Sequence, residues 1–505
     1  MQNEIEIKLI VSSDINEILN NLSLKQDVKL VVQQFELENI YFDTSDKKLR
    51  NWDMGLRVRV NDGHIEQTIK TAGKVIGGLH QRPEYNININ SRIPSLALFE
   101  SEIWPEGTNI IQLQQEIAPL FATNFTRQGN MMIYPDGAIV EMVFDRGVIE
   151  SGDRSIGLCE VELELVKGKP ELIFELADAL SKECPLRFGV DSKAARGYML
   201  AKNQEHQISQ LGMVDIKPDD TLEEAYLKSI SHGLAHWQRH IEIFIEQQDY
   251  LAINEIRKAL SLIIKTNELY QDYFHDDGLK SLTKSLFWLM DKLSFIDDYL
   301  RINQLLSTNG SQFKKLEQQQ TILTLLAQAL DDLPNEESMV NLFNSAKHTQ
   351  LVGRLMQWLY FKPWQHQSQQ NLEKFKTRLL RKQAVSFLEQ DWELVHQTLP
   401  MDSDLNYQDY LAQRLNLQHN LQVGLCVGAM FNEEERRNFR APWEDITQGI
   451  DQLLQFEPIK QLLRQEKFND DGNIIKWLDR KENSLLHAME LSRKEALKLT
   501  PYWID

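Results

Sequence analysis

Residues 4–8 read Glu-Ile-Glu-Ile-Lys. Side chains alternate along a strand, so Glu4, Glu6 and Lys8 share one face, with Ile5, Ile7 and Leu9 opposite. One charged face alone would simply meet water, but here the pattern recurs. Glu160-Val161-Glu162-Leu163-Glu164 places three carboxylates on one face, with Val161, Leu163 and Leu165 on the other. Leu56-Arg57-Val58-Arg59-Val60 gives two guanidinium groups a common side. Strands of this kind suit a sheet curled around a polar cavity that takes an ionic ligand.

Period-2 stretches occur near residues 3–11, 35–43, 55–61, 64–71, 82–89, 126–134, 138–146 and 158–166. Turn signals such as Asn61-Asp62-Gly63, Gly77-Gly78, Pro135-Asp136-Gly137 and Ser151-Gly152-Asp153 separate them. Eight such strands close a small antiparallel barrel. Helices are expected between them at about 14–25, 95–100 and 112–121, then at 170–183 and 192–202. Residues 203–218 are polar, contain Gly212 and Pro218, and read as a linker. The hydrophobic period then changes to 3.6, with 279–306, 336–361 and 433–466 among the expected helices. The predicted fold is a multidomain α+β chain. An eight-stranded antiparallel β tunnel at 1–202 precedes an all-α helical bundle at 219–505.

Bulk properties narrow the function. Hydrophobic content of 42% and charged content of 26% are ordinary for a soluble protein. The chain lacks any run of about 18 apolar residues, so no membrane span is expected. It opens on an acidic strand rather than a secretory signal, and its three cysteines have no metal-type spacing. A cytoplasmic location is the expectation. The net charge of −19 is shared between both halves and argues against a nucleic-acid partner.

The carboxylates Glu4, Glu6, Glu162 and Glu164 offer hard oxygen ligands from two strands, suited to Mg²⁺ with Mn²⁺ as an alternative. The cations are Lys8, Arg57, Arg59, Lys70, Arg82, Arg127 and Lys193. Arginine makes forked contacts to phosphate oxygens and lysine acts as a point charge. A metal and a polyanion together would neutralise both sets. Glu141 and Asp145 share a face and are suited to orienting cations or water. The glycines of Ala72-Gly73-Lys74-Val75-Ile76-Gly77-Gly78 suit a hairpin turn, because Gly-Lys-Ser/Thr is missing from the place a P-loop needs it.

These residues resemble the CYTH, or triphosphate tunnel metalloenzyme, family. Glu4-x-Glu6-x-Lys8 is similar to its E-x-E-x-K signature. Tyr41-Phe42-Asp43-Thr44, the Leu56–Arg59 strand, Lys70, Arg82-Pro83-Glu84, Glu160–Glu164 and Ser192–Tyr198 follow in family order. The resemblance is to the bacterial members that append a helical CHAD domain and hydrolyse inorganic triphosphate. It implies metal binding by Glu4, Glu6, Glu162 and Glu164. Triphosphate contacts fall to Lys8, Arg57, Arg59, Lys70, Arg82, Arg127 and Lys193. Catalytic roles are implied for Glu4, Glu6, Lys8 and Tyr41, with proton transfer by Lys8 conditional on a lowered pKa. Thiamine or nucleoside triphosphate hydrolysis, adenylate cyclisation and a non-catalytic polyphosphate scaffold are the alternatives.

The helical half resembles CHAD domains in placement. Asn254 stands where that family has histidine, Arg257 is retained, and Ser261 and Leu262 replace a basic pair. Long-chain polyphosphate is therefore a weaker expectation than triphosphate, and no protein partner is specified. His232, His236 and His240 share a helical face, as either a metal site or a structural row.

Overall fold

The protein is described by a computed structural model covering residues 2–12, 14–15, 17–19, 28–273, 277–307, 313–314, 316–366, 370–465 and 472–504. It forms two compact units. One comprises residues 1–207 with 340–361, the other 208–339 with 362–505.

The first unit is built on β1 (Gln2–Val11), β2 (Lys29–Asp43), β3 (Gly55–Asn61), β4 (His64–Lys70), β5 (Lys74–Ile76), β6 (Leu79–Ile89), β7 (Ala118–Ile133), β8 (Ile139–Ser151), β9 (Arg154–Lys167) and β10 (Leu186–Phe188). The order β1-β9-β8-β7-β2-β3-β4-β6 returns to β1, so eight antiparallel strands close a barrel. The short strands β10 and β5 add to β1 and β6. Tight turns set the register. Asn61 pairs with His64 across Asp62 and Gly63, both at positive φ (47° and 81°), as a type I′ turn requires. Ile76 pairs with Leu79 across Gly77-Gly78, the expected hairpin.

The barrel is apolar outside and charged inside. Phe42, Leu56, Val58 and Ile69 pack outward against Leu96, Phe99, Trp104 and Leu113. The helix Glu171–Glu183 covers the outer face of β1 and β9 with a buried face that includes Ile173, Leu176, Ala177 and Leu180. The outward face therefore supplies the hydrophobic stabilisation, leaving the interior free to carry charge.

Two local expectations change. The helix expected at 112–121 spans Ile110–Glu116, and β7 begins at Ala118. Pro119 accounts for this: it disfavours helical geometry at Ala118 and has no N–H to continue the helix. The sheet also extends beyond the expected strands, because Lys29–Gln34 pair with Gln128–Ile133. Most of the expected helix 14–25 lies outside the described residues.

The second unit is helical, from Leu222–Gln247 to Asn473–Ala496. Three stretches expected as single helices are each interrupted: 279–306 at Leu293–Phe295, 336–361 at Asn344–Ser345, and 433–466 at Gln455–Phe456. The piece Ala346–Phe361 groups with the barrel unit. Among the described residues no helix is long and apolar enough to cross a membrane.

The histidine row of the second unit holds backbone. His232 Nε2 lies 3.0 Å from the Gly212 carbonyl, and Ser209 N–H donates to His240 Nε2 at 3.3 Å. Glu255 accepts from Leu211 N–H at 3.0 Å and meets His236 Nε2 at 3.1 Å. These bonds pin residues 209–212 to the helices Leu222–Gln247 and Tyr250–Tyr270, and among the described residues the row forms no group of ligand atoms close enough for one metal ion. His240→Ala removes an acceptor from a part-buried N–H. It is expected to destabilise this unit by about 1–2 kcal/mol in urea unfolding, and adding Zn²⁺ is expected to leave the wild-type midpoint unchanged.

Candidate active site

The interior residues of the barrel line one cavity of about 420 Å³. All twelve residues singled out from the sequence are in its wall: Glu4, Glu6, Lys8, Tyr41, Arg57, Arg59, Lys70, Arg82, Arg127, Glu162, Glu164 and Lys193. They converge because strand alternation aims every second side chain inward and closure of the sheet turns those faces toward one another.

Register divides the wall into regions of different electrostatics. Glu6 on β1 lies opposite Glu164 on β9, which lies opposite Glu141 on β8. Three adjacent strands therefore present a row of carboxylates. Directly opposed like charges destabilise a sheet unless something neutralises them. Neither Glu6 nor Glu164 makes an ion pair among the described residues.

One step along the strands, the carboxylates are fully paired. Lys8 meets Glu160 at 2.6 Å and also contacts Glu162. Lys193, from the first turn of the helix Lys193–Ala201, reaches Asp145 (2.7 Å), Glu160 (2.6 Å) and Glu162 (2.9 Å). Arg127 forks onto Asp145 with two 2.7 Å bonds and reaches Glu162 at 2.8 Å. Asp145, Glu160 and Glu162 have the spacing of a metal-binding group. Their oxygens, however, are already matched by three cations, so a metal there would have to displace ammonium or guanidinium partners.

On the opposite wall the cations predominate. Arg57 pairs with Glu84 at 3.2 Å, and Lys70 bridges Glu4 (2.5 Å) and Glu84 (3.5 Å). Arg59 donates through Nε to the neutral Asn39 amide at 2.7 Å. Arg82 has no carboxylate partner among the described residues, and its buried Nε is unbonded. Tyr41 stacks on Phe121 at 4.6 Å and stands opposite Arg57 across β2 and β3.

The sequence signature of the CYTH domain runs across residues 2–198, from β1 into the helix that carries Lys193. Over that span the chain is similar to CYTH domains. An inorganic triphosphatase of Haemophilus influenzae is 35% identical over 209 residues, which cover 40% of this chain and 56% of that protein. The chain thus spans little more than half the length of that curated relative. Among solved structures, a putative adenylyl cyclase from Hippeastrum with a dominant triphosphatase activity is 22% identical. It covers 40% of this chain and 97% of its own, with a TM-score of 0.30. The CHAD domain from Ricinus communis is 13% identical, covers 58% of this chain and 99% of its own, and has a TM-score of 0.43.

The charge states of the cavity residues follow from this layout. Burial, with Glu6 and Glu84 adding and Lys70 opposing, pushes Glu4 up to about 8. Burial beside Glu141 and Glu6 pushes Glu164 up to about 7. Both are carboxylates short of positive charge. Burial and repulsion from Arg57 and Arg127 push Arg59 down to about 9. A guanidinium keeps its proton at neutral pH, so that shift registers an unmet demand for an anion. Lys8 behaves oppositely. Burial alone would lower it, but Glu160 and Glu162 outweigh that and hold it well above its ordinary value. The lowered pKa on which proton transfer by Lys8 depends is absent.

Sequence reading missed His80 and Asn39. It gave Glu84 no role of its own and set Glu160 aside. His80 lies on β6 opposite Glu6, lines the cavity and is only 3% exposed. Its one available signal was its place two residues before Arg82 on the same strand face. In the helical unit, Arg257 is paired with Asp297 at 2.7 Å, and Arg414 meets the same carboxylate at 3.5 Å.

Proposed function

We propose that the CYTH-like barrel hydrolyses inorganic triphosphate to pyrophosphate and phosphate with a bound divalent cation, Mg²⁺ first and Mn²⁺ as an alternative. The observation that carries this reading is complementary charge frustration across one cavity. Glu6 and Glu164 have no cationic partner among the described residues and Glu4 shares Lys70 with Glu84, while Arg59 and Arg82 lack an anion. A linear phosphate chain complexed with a divalent metal supplies both. The Haemophilus relative, an inorganic triphosphatase, supports the same assignment.

The hard oxygen donors of Glu4, Glu6 and Glu164 fit such a cation. Glu162, part of the expected ligand set, is engaged by Lys8, Lys193 and Arg127 and is better suited to holding the cationic side chains in place. When bound, the cation would neutralise phosphate oxygens and lower the pKa of water. Arg59 and Arg82, with Arg57 and Lys70 beside them, grip the phosphate oxygens and stabilise the charge that moves onto the leaving pyrophosphate. Lys8 and Lys193 remain ammonium groups that fix the carboxylates. Tyr41 stands opposite Arg57.

Phosphate release from inorganic triphosphate, ATP and thiamine triphosphate with Mg²⁺, with and without EDTA, tests the reading. Triphosphate is expected to be preferred, and EDTA to stop turnover. Arg59→Ala is expected to lower kcat/KM about a hundredfold. Equal turnover of all three substrates, or cyclic AMP as the product from ATP, would defeat the assignment.

A further inference from the structure

The carboxylate row does not end at Glu6. His80 sits on β6 directly opposite Glu6, so the register places His80, Glu6, Glu164 and Glu141 in sequence across β6, β1, β9 and β8. His80 shares the inward face with Arg82 and Glu84 and lines the same cavity. Its Nε2 is buried and has no hydrogen-bond partner. A neutral imidazole protonated at Nδ1 carries its lone pair on Nε2.

A buried nitrogen acceptor normally has a hydrogen-bond partner, and leaving it bare is costly. The neighbours of His80 in the row, Glu6 and Glu164, offer no protons when ionised. Lys8 directs its ammonium to Glu160 and Glu162. The register puts Glu6, Glu164 and His80 at one level of the wall, and a cation there would draw their ligand atoms together, since among the described residues only those of Asp145, Glu160 and Glu162 already lie so close.

We infer that His80 Nε2 is a nitrogen ligand at the metal site of the tunnel, completing an otherwise all-carboxylate set. This rests on the proposed metal-dependent reading of the cavity. It carries its own consequence, which is selectivity. Imidazole suits Mn²⁺ and later transition metals better than Mg²⁺, so His80 biases the site toward Mn²⁺ without abolishing Mg²⁺ binding.

The test is pulsed electron paramagnetic resonance of Mn²⁺ bound to the full-length protein, beside Mn²⁺ and Mg²⁺ titrations by calorimetry. The wild type is expected to show the nitrogen modulation of a directly bound imidazole. His80→Asn is expected to lose it, to weaken Mn²⁺ about 10- to 100-fold, and to weaken Mg²⁺ less. Glu6→Gln is expected to weaken both metals. Mn²⁺ binding that depends on Glu6 but shows no nitrogen modulation in the wild type overturns the role of His80 and leaves the proposed function standing. Modulation that persists in His80→Asn overturns it too. Mn²⁺ binding indifferent to Glu6 overturns both readings. The wild-type spectrum decides even if His80→Asn fails to fold.

Discussion

Replacing both Glu4 and Glu6 by glutamine is expected to cut triphosphate hydrolysis by about a thousandfold and, without metal, to make the barrel more stable at pH 8. The two effects have one cause. Glu4 is raised to about 8 and Glu164 to about 7, with burial first and neighbouring carboxylates next. For an acid whose folded pKa exceeds its unfolded value, the native state binds more protons. Stability then falls as pH rises from the unfolded value to the folded one. Buried histidines act in the opposite direction at lower pH. Burial pushes His80 and His348 down to about 4, so their contribution rises with pH until the unfolded value near 6.5 is passed. The clean window is therefore about pH 6.5–8.5. There, hydrogen-exchange protection of β1 and β9 in EDTA is expected to decline with pH. Mg²⁺ should restore it in the wild type but not in the double variant. Protection that is flat with pH and unaffected by Mg²⁺ would remove the charge-deficient site from the account.

The same residues show how much a single sequence discloses. Inward and outward faces of β1, β3 and β9 were legible because alternation is local, and they carry seven of the twelve cavity residues; Lys70, Arg82, Arg127 and Lys193 were read singly as cations, and Tyr41 came from the family resemblance. What the neighbours do to each residue was not legible, because that depends on register between strands far apart in the chain. Glu162 and Glu164 are two residues apart on one strand. Opposite Lys8, Glu162 is neutralised; opposite Glu6, Glu164 is not. No local pattern separates them. Asp145 and Glu160 likewise gain their roles only when β8, β9 and the helix that begins at Lys193 meet. His80 gave no periodic signal of its own, since one histidine beside a glycine turn reads as an edge residue. The start of β7 was legible in principle, because Pro119 forbids the helix that the spacing of apolar residues suggests.

Lys193→Met is expected to destabilise the barrel by about 3–5 kcal/mol, the usual cost of stranding buried charge. Asp145, Glu160 and Glu162 face Lys8, Lys193 and Arg127, and both Asp145 and Glu160 are fully buried. Three negative charges meet three positive ones, with Arg196 touching Glu160 at the edge (3.4 Å). Losing Lys193 leaves one carboxylate in excess, and water cannot reach it. If charge balance is what matters, Glu160→Gln in the Lys193→Met background should recover more than half of the loss, although Glu160→Gln alone is destabilising. Urea unfolding of the four proteins of that double-mutant cycle, followed through exchange in β8 and β9, measures the coupling. If the two substitutions simply add, Lys193 contributes through packing, and the carboxylates do not depend on it for neutrality. If they couple, the paired group is a rigid electrostatic base. Its carboxylates are held below their ordinary range, since Lys193 and Lys8 outweigh burial at Glu160 and Glu162 and Lys193 and Arg127 do so at Asp145. That stability is present above the unfolded carboxylate values and is lost only as pH falls through the lowered ones. The barrel then has a paired base that withstands neutral and alkaline pH, and beside it an unpaired row that does not. The unpaired row is where a cation and its phosphate chain improve the folded state most.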